Sequence, residues 1–255
     1  MPRFAANLSM MFTEVPFLDR FAAAADCGFE AVEYLFPYDH AAEVVAERLG
    51  TAGLAQALFN MPPGDWIAGE RGLAALPGRQ VEFQQALEMA IAYARVIGTP
   101  HLHMIAGIAP ATDPKAIATY RDNLKRATDR TGEAGIGLVI EPINGRDMPG
   151  YFLSDFNQAL DFIAEMDAPH LKLQFDIYHR QILHGDVIMG LRACAALIGH
   201  IQIASVPDRH EPLTGELDDR KIFAEIDAIG YQGYVGCEYR PALGTREGLS
   251  WMAMV

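Results

Sequence analysis

Eight short apolar runs, each followed by a helix-like stretch, limit the fold of this chain more than any other feature. The runs are RFAANL (3–8), AVEYLF (31–36), AQALFN (55–60), HLHMIA (101–106), GLVIEP (137–142), LKLQFD (171–176), HIQIAS (200–205) and YVGCEY (234–239). The segments between them carry helix starts and stops. Pro16 suits a first helical position, with Phe17, Phe21 and Ala25 on one face and Gly28 at the end. Asp113-Pro114 opens another helix that Gly135 closes, and Ser154 is placed to cap one carrying Phe156, Leu160 and Ile163. Ile222, Ile226 and Ile229 form the stripe of a later helix that ends at Gly230.

Strand and helix alternating in this way imply a parallel sheet. Eight units of about 32 residues each have the size of βα repeats and close into a (β/α)8 TIM barrel. An open doubly wound sheet usually has fewer strands, and no Gly-rich dinucleotide fingerprint follows the first run. No linker or shift in composition marks a second domain, so residues 1–255 read as a single barrel domain.

Charge and cysteine usage narrow the function. The net charge of −13 is dispersed rather than gathered in a tail. A chain of this sign lacks the basic face that nucleic acid or an anionic membrane surface would need. The three cysteines, Cys27, Cys194 and Cys237, are scattered and include no CxxC, which fits reduced thiols and a cytoplasmic location. The N-terminus has no signal-peptide pattern, and no apolar run is long enough to span a bilayer.

In a βα barrel the active site lies at the C-terminal ends of the strands. There the fifth run ends in Glu141, and the sixth ends in Asp176 with His179 three residues on. The seventh contains Gln202, with Arg209 in the loop beyond, and the eighth ends with Glu238 and Arg240. Four successive strands thus each present an oxygen ligand. A lone acid at a strand end is usually a cap or a solvated residue. Three carboxylates converging on a buried rim would raise one another's pKa unless a cation sat among them. Carboxylate and amide oxygens are hard donors, which fits Mg²⁺ or Mn²⁺ better than zinc. His101 and His103 read as core residues, and His200 starts its strand at the wrong end for catalysis. His179 and Glu33, both near the rim, are expected substrate contacts.

The segment after the third run, NMPPGDWIAGERGLAALPGRQ (60–80), is far longer than an ordinary connection. It rises from the catalytic rim with a large aromatic, Trp66, and a guanidinium, Arg71, between glycines 64, 69, 72 and 78. That pattern suits a lid over the site, with Trp66 covering it.

The motifs NLSMMF, FPYD, GDWIAGERG, ALPGR, IEPIN, FDIYH, PDRHEP, TGEL and GCEYRP resemble the hydroxypyruvate isomerase family, which includes 2-oxotetronate isomerases and belongs to the xylose-isomerase-like TIM barrels. They run from the first strand to the last helix. MMFTEVPF and PDRHEP are closer to the 2-oxotetronate subgroup, whereas GDWIAGERG, EPIN and DIYH are closer to the hydroxypyruvate subgroup, so a three-carbon and a four-carbon acid both stay open.

The resemblance implies that Glu141 and Glu238 are the catalytic pair, and that a divalent metal is held by Glu141, Asp176, Gln202 and Glu238. It implies isomerisation through an enediolate, in which a carbonyl moves between adjacent carbons. Such chemistry needs a base on one side of the substrate, an acid on the other, and positive charge on the developing oxyanions. The substrate's own carboxylate needs a guanidinium, for which Arg71, Arg209 and Arg240 are the candidates. A keto-sugar 3-epimerase, a non-catalytic sugar-acid binding protein and an abasic-site endonuclease are the competing functions. The last would need a basic face and several histidine ligands. The apolar C-terminus LSWMAMV offers a surface for self-association.

Overall fold

A computed structural model of the chain describes residues 1–254. Eight parallel strands close into a barrel in sequence order. They are β1 (Arg3–Asn7), β2 (Ala31–Tyr34), β3 (Ala55–Asn60), β4 (His101–His103), β5 (Gly137–Ile140), β6 (Leu171–Asp176), β7 (Ile198–Ile203) and β8 (Tyr234–Cys237). The helices are α1 (Arg20–Asp26), α2 (Ala42–Ala52), α3 (Gln80–Ile97), α4 (Pro114–Ala134), α5 (Phe156–Met166), α6 (Ile177–Leu183), α7 (Val187–Cys194), α8 (Asp219–Ala228) and α9 (Thr245–Gly248). None of the described helices is long and apolar enough to cross a membrane.

The helix signals hold with two local differences. Asp113 caps α4 by accepting from the Lys115 N–H, Pro114 follows it, and Gly135 ends the helix in the left-handed region. Pro16, however, precedes a 3-10 turn, Phe17–Asp19, and α1 starts only at Arg20. The Arg20 guanidinium donates to the Leu8 and Val15 carbonyls, which ties the turn down. Asp155 rather than Ser154 caps α5, because its carboxylate accepts from the N–H of Gln158 three residues on. The buried stripe of α5, Phe156, Ala159, Phe162 and Ile163, then faces the sheet. Each large apolar side chain buried this way stabilises the fold by roughly 1.5–3 kcal/mol.

Strand alternation fills the barrel in levels. Ala5, Ala31 and Ala57 pack together low in the barrel against Tyr234. Above them the same faces turn polar, with Asn7, Glu33, Gln174, His200 and Gln202 all buried. Asn7 pairs with Glu33 across β1 and β2, and Asp176 with Gln202 across β6 and β7. The floor of the site is therefore a buried polar layer resting on small residues.

At the C-terminus, a 3-10 segment (Leu249–Met254) turns Trp251 inward. Its ring lies 4.9 Å from Phe4 edge-on, and its indole N–H donates to the Tyr239 hydroxyl at 3.1 Å. The largest apolar group of LSWMAMV is thus packed within the chain instead of standing free as a contact surface. Val255 lies outside the described residues.

Candidate active site

Short strands and early helix starts set the rim. β5 stops at Ile140 and β8 at Cys237, so Glu141 and Glu238 stand one residue beyond their ladders. Asp176 ends β6 and caps α6, its Oδ1 accepting from the N–H groups of Tyr178 and His179 at 2.7 and 3.4 Å. One ligand atom from each of Glu141, Asp176, His179 and Glu238 lies within 4.8 Å of the others. Three of the four residues brought together here are the predicted carboxylates. The histidine is the expected substrate contact.

Two of these carboxylates are not fully satisfied from within the protein. Glu141 Oε2 accepts from the Gln174 amide at 2.9 Å, whereas the buried Oε1 has no hydrogen-bond partner. Asp176 Oδ2 is equally buried and unpartnered. Burial raises the Glu141 pKa well above the carboxylate range, and Glu238 and Asp176 push it further. Burial likewise pushes Glu238 up to about 8 and Asp176 up to about 6, against the opposing pull of Arg209. Two orphaned carboxylate oxygens within reach of a third carboxylate fit a hard divalent cation.

The fourth predicted ligand, Gln202, is placed differently. Its Oε1 accepts from Gln174 Nε2 at 2.6 Å, and its Nε2 donates to Glu33 Oε1 at 2.8 Å. Glu33 accepts, so the amide oxygen faces Gln174, whose Nε2 also donates to Glu141 Oε2 and so links Gln202 to the carboxylate group. Glu33 was expected to touch substrate, but it sits in the floor. There Asn7, Gln202 and His200 all donate to it, the last at 2.6 Å. The absence of a side chain at Gly236 makes room for Glu33, since a Cβ there would lie 2.1 Å from Glu33 Oε2. His200, set aside as lying at the wrong end, belongs to this same floor.

His179 has a fixed orientation. Its Nδ1 lies 2.6 Å from Asn144 Nδ2 and 3.3 Å from the Asn144 backbone N–H. Its Nε2 is 3.5 Å from Asp176 Oδ2 and 3.8 Å from Glu141 Oε1. Burial, then the charge of Arg209, lowers its pKa well below the usual imidazole value.

Above this lies a cavity of about 350 Å³ whose lining includes Asn60, His103, Glu141, Asp147, His179, Arg209 and Glu238. Met10, Leu35, Phe36, Trp66, Ile105 and Ile143 supply the apolar walls. A further cleft of about 520 Å³ adjoins it across Met10, Leu35, Trp66 and Arg240.

The three candidate arginines divide into two kinds. Arg209 is buried. It binds Glu238 Oε2 at 2.6 Å and Asp147 at 3.3 Å, and it lies 3.8 Å from Asp176. Burial opposes its charge, but Glu238, Asp176 and Asp147 outweigh this and raise its pKa. Arg71 instead stacks over the Trp66 ring at 3.9 Å and donates to the backbone carbonyls of Trp66 and Glu70. Among the described residues, neither Arg71 nor Arg240 has a carboxylate partner, although both line the cavity. In the same loop it is Arg79 that pairs with Glu70 and Glu82.

Most of the 60–80 segment is anchored rather than free. Gly72 bridges Ala106 in antiparallel fashion, the Ala75 N–H donates to the Ala106 carbonyl, and Leu73, Ala74 and Ala75 are buried. Only the tip projects, with Ile67 fully exposed at 99%. Trp66 lies against Phe36 at 5.0 Å.

His103 was read as core, yet it lines the cavity, with Nδ1 3.2 Å from Asn60 Oδ1 and Nε2 3.6 Å from Glu141. Burial lowers its pKa to about 3. Asn60, Gln174, Asn144 and Asp147 were also not singled out. Alternation along LKLQFD, which puts Gln174 on the face of Asp176, was the available signal for one of them.

Comparison with known proteins places the chain as a whole. The model of the xylose isomerase-like TIM barrel family matches residues 21–254. The chain is 55% identical over 254 residues to a 2-oxo-tetronate isomerase of Cupriavidus necator, covering 99% of this chain and 98% of that protein. It is 44% identical to the hydroxypyruvate isomerase of Escherichia coli, again over 99% and 98%. A crystal structure described as an AP endonuclease of family 2 from Brucella melitensis superposes with a TM-score of 0.97 at 47% identity, over 100% of this chain and 99% of that one.

Proposed function

The chain belongs to the xylose isomerase-like TIM barrel family and is an isomerase, and we propose that it moves a carbonyl between adjacent carbons of a small hydroxy-oxo acid by proton transfer between Glu141 and Glu238. The observation that supports this reading best is the pair of buried glutamates on one cavity, both with raised pKa values. A carboxyl tuned upward accepts a proton from carbon and returns it more readily near neutral pH than an ordinary one does. One glutamate removes the proton from the hydroxyl-bearing carbon and the other delivers a proton to the former carbonyl carbon, while the hydroxyl proton passes to the former carbonyl oxygen. The His179 N–H lies close enough to both carboxylate walls to donate to a substrate oxygen as it gains charge. The apolar walls and Trp66 keep water from the enediolate. Arg71 and Arg240, without carboxylate partners, receive the substrate carboxylate.

A divalent cation of the Mg²⁺ or Mn²⁺ type would be held by Glu141, Asp176 and Glu238. Gln202 Oε1 accepts one N–H from Gln174 and keeps a second lone pair that would serve the ion. Bound there, the ion would supply positive charge for the developing oxyanions.

The four-carbon pair, 2-oxotetronate and 3-oxotetronate, is the preferred substrate in this reading, with hydroxypyruvate and tartronate semialdehyde second. The relative at 55% identity is named for the four-carbon acid. Endonuclease chemistry fits poorly, because the candidate cluster has a single histidine and the chain carries −13. The test is kcat/KM for both acids with the purified protein. Turnover of neither would sink the reading.

A further inference from the structure

We propose that Asn144 is a positioning residue that fixes His179 as the Nε2–H tautomer, so that the ring offers a donor to the substrate rather than a lone pair to a cation. The inference rests on the proton-transfer reading above and assigns the chemical role of one wall of that site.

The hydrogen bonds leave one orientation. Asn144 is fully buried, at 0% exposure, three residues after Glu141. Its Oδ1 accepts from the backbone N–H groups of Arg146 and Asp147, at 2.9 and 3.1 Å. Those two donors have no use for an amide NH2, so the carbonyl end of the side chain faces the turn. The NH2 end therefore faces His179 Nδ1 at 2.6 Å, with its second hydrogen toward Asp147 Oδ2 at 3.2 Å. The Asn144 backbone N–H points at the same Nδ1 at 3.3 Å. Two N–H donors converge on one ring nitrogen, which must accept. A neutral imidazole carries a single N–H, so the hydrogen sits on Nε2.

The chemical consequence follows from where Nε2 is. It faces Asp176 Oδ2 and Glu141 Oε1, the two carboxylate oxygens that lack any other hydrogen-bond donor. At 3.5 and 3.8 Å these are too long for good hydrogen bonds, so the N–H remains available to a substrate oxygen lying between them. The lone pair a metal would need is on Nδ1, turned away and already engaged. His179 thus belongs with the substrate, although it lies among the carboxylates that would hold a cation. Its donor is preorganised because the turn at 144–147, not the ring itself, sets its direction.

Asn144→Asp reverses the polarity of this contact, while also setting a carboxylate oxygen against Asp147 Oδ2. Aspartate keeps an oxygen for the Arg146 and Asp147 N–H groups, so the turn persists, but it presents an acceptor to Nδ1 where asparagine presents a donor. The readout is the ¹⁵N spectrum of histidine-labelled protein without substrate, with the His179 signals assigned by their loss in His179→Gln. The wild type should show a protonated Nε2 and a bare Nδ1, and Asn144→Asp should move the proton to Nδ1. With 2-oxotetronate or hydroxypyruvate, kcat should fall roughly 100-fold or more in that variant, with KM changed far less. A protonated Nδ1 in the wild type would overturn the assignment whatever the substrate proves to be, and so would a switched tautomer with undiminished kcat. If Asn144→Asp fails to fold, the wild-type spectrum alone decides the tautomer. If the wild type turns over neither acid, the proton-transfer reading fails while the tautomer assignment is still read from the spectrum.

Discussion

Raising the pH should destabilise the metal-free protein, and a divalent cation should reverse the effect. Burial pushes Glu238 from the ordinary 4.5 up to about 8 and Asp176 from 3.8 up to about 6, and it raises Glu141 well above its ordinary value. A carboxyl whose pKa is higher in the folded state favours folding while it stays protonated. Its contribution is present in full below the unfolded value near 4. It is lost as pH rises through about 6 for Asp176 and about 8 for Glu238. One pKa unit is worth about 1.4 kcal/mol, so the loss between pH 4 and pH 8 is on the order of 5 kcal/mol when shared by such closely placed groups. A cation binds the deprotonated carboxylates, so its stabilising effect should be small near pH 5 and large near pH 8. At a cation concentration about a hundredfold above Kd, the gain is roughly 2.7 kcal/mol. For a chain of this length that corresponds to a rise of about 5–10 °C in Tm. Calorimetric scans with chelator and with Mn²⁺ at the two pH values measure it. Equal shifts at both, or none at either, would refute the idea that the three carboxylates form the cation site. Asp176→Asn should remove most of the shift at pH 8.

Glu141→Gln and Glu238→Gln should each lower kcat by roughly 10²–10⁴-fold while the circular dichroism spectrum stays that of the wild type. Full turnover in either variant would remove the two-glutamate mechanism. Arg71→Ala should raise KM for the acid about tenfold, a change of about 1.4 kcal/mol, and an unchanged kcat/KM would leave the 60–80 loop with a packing role only. Gly72 holds φ +111°, and a Cβ there would lie 2.4 Å from the Ile105 carbonyl oxygen. Gly72→Ala should therefore lower stability by about 1–3 kcal/mol in urea unfolding. A smaller change would mean that the loop is not pinned to the rim at that point.

The barrel was legible because its signal is repeated eight times, and an error at one element does not alter the closure. The run LKLQFD gives its strand, its end and its rim acid in six residues, and β6 occupies those same six. HLHMIA was less legible. Only His101–His103 pair in the ladder, because Ala106 is taken by the bridge to Gly72. That contact joins segments more than thirty residues apart, and nothing local announces it. The rim acids could be read from their position after apolar runs. The direction of a side chain could not. Glu33 and Glu141 both look like acids at strand ends, yet Glu33 lies inside the barrel level with Asn7, and Glu141 stands beyond the ladder. The long 60–80 loop was visible as an anomaly, but its division into an anchored stem and a short projecting tip depends on tertiary contacts.

If the substrate is the hydroxy-oxo acid proposed above, the charge balance of the site sets how it lies. Glu141, Asp176, Glu238 and Asp147 face the inner cavity or its wall, against one buried guanidinium, Arg209. That guanidinium is itself held by a backbone at φ +57°, unusual for a residue with a side chain, and its Nε has no acceptor. Strain of this kind persists where the surroundings enforce it. Even so, one cation does not neutralise the group: burial drives the carboxyl pKa values upward, and the neighbouring carboxylates add to it. As these carboxyls ionise, a substrate carboxylate pushed inward would meet that excess of negative charge at short range, in surroundings that screen poorly. At the mouth it meets Arg71 and Arg240, neither of which has a carboxylate partner among the described residues. The carboxylate must therefore point outward. The carbonyl and hydroxyl carbons are then the part that reaches Glu141, Glu238 and the His179 N–H. The same excess that makes the site a candidate for a divalent cation orients the substrate so that only its reacting carbons arrive between the two glutamates.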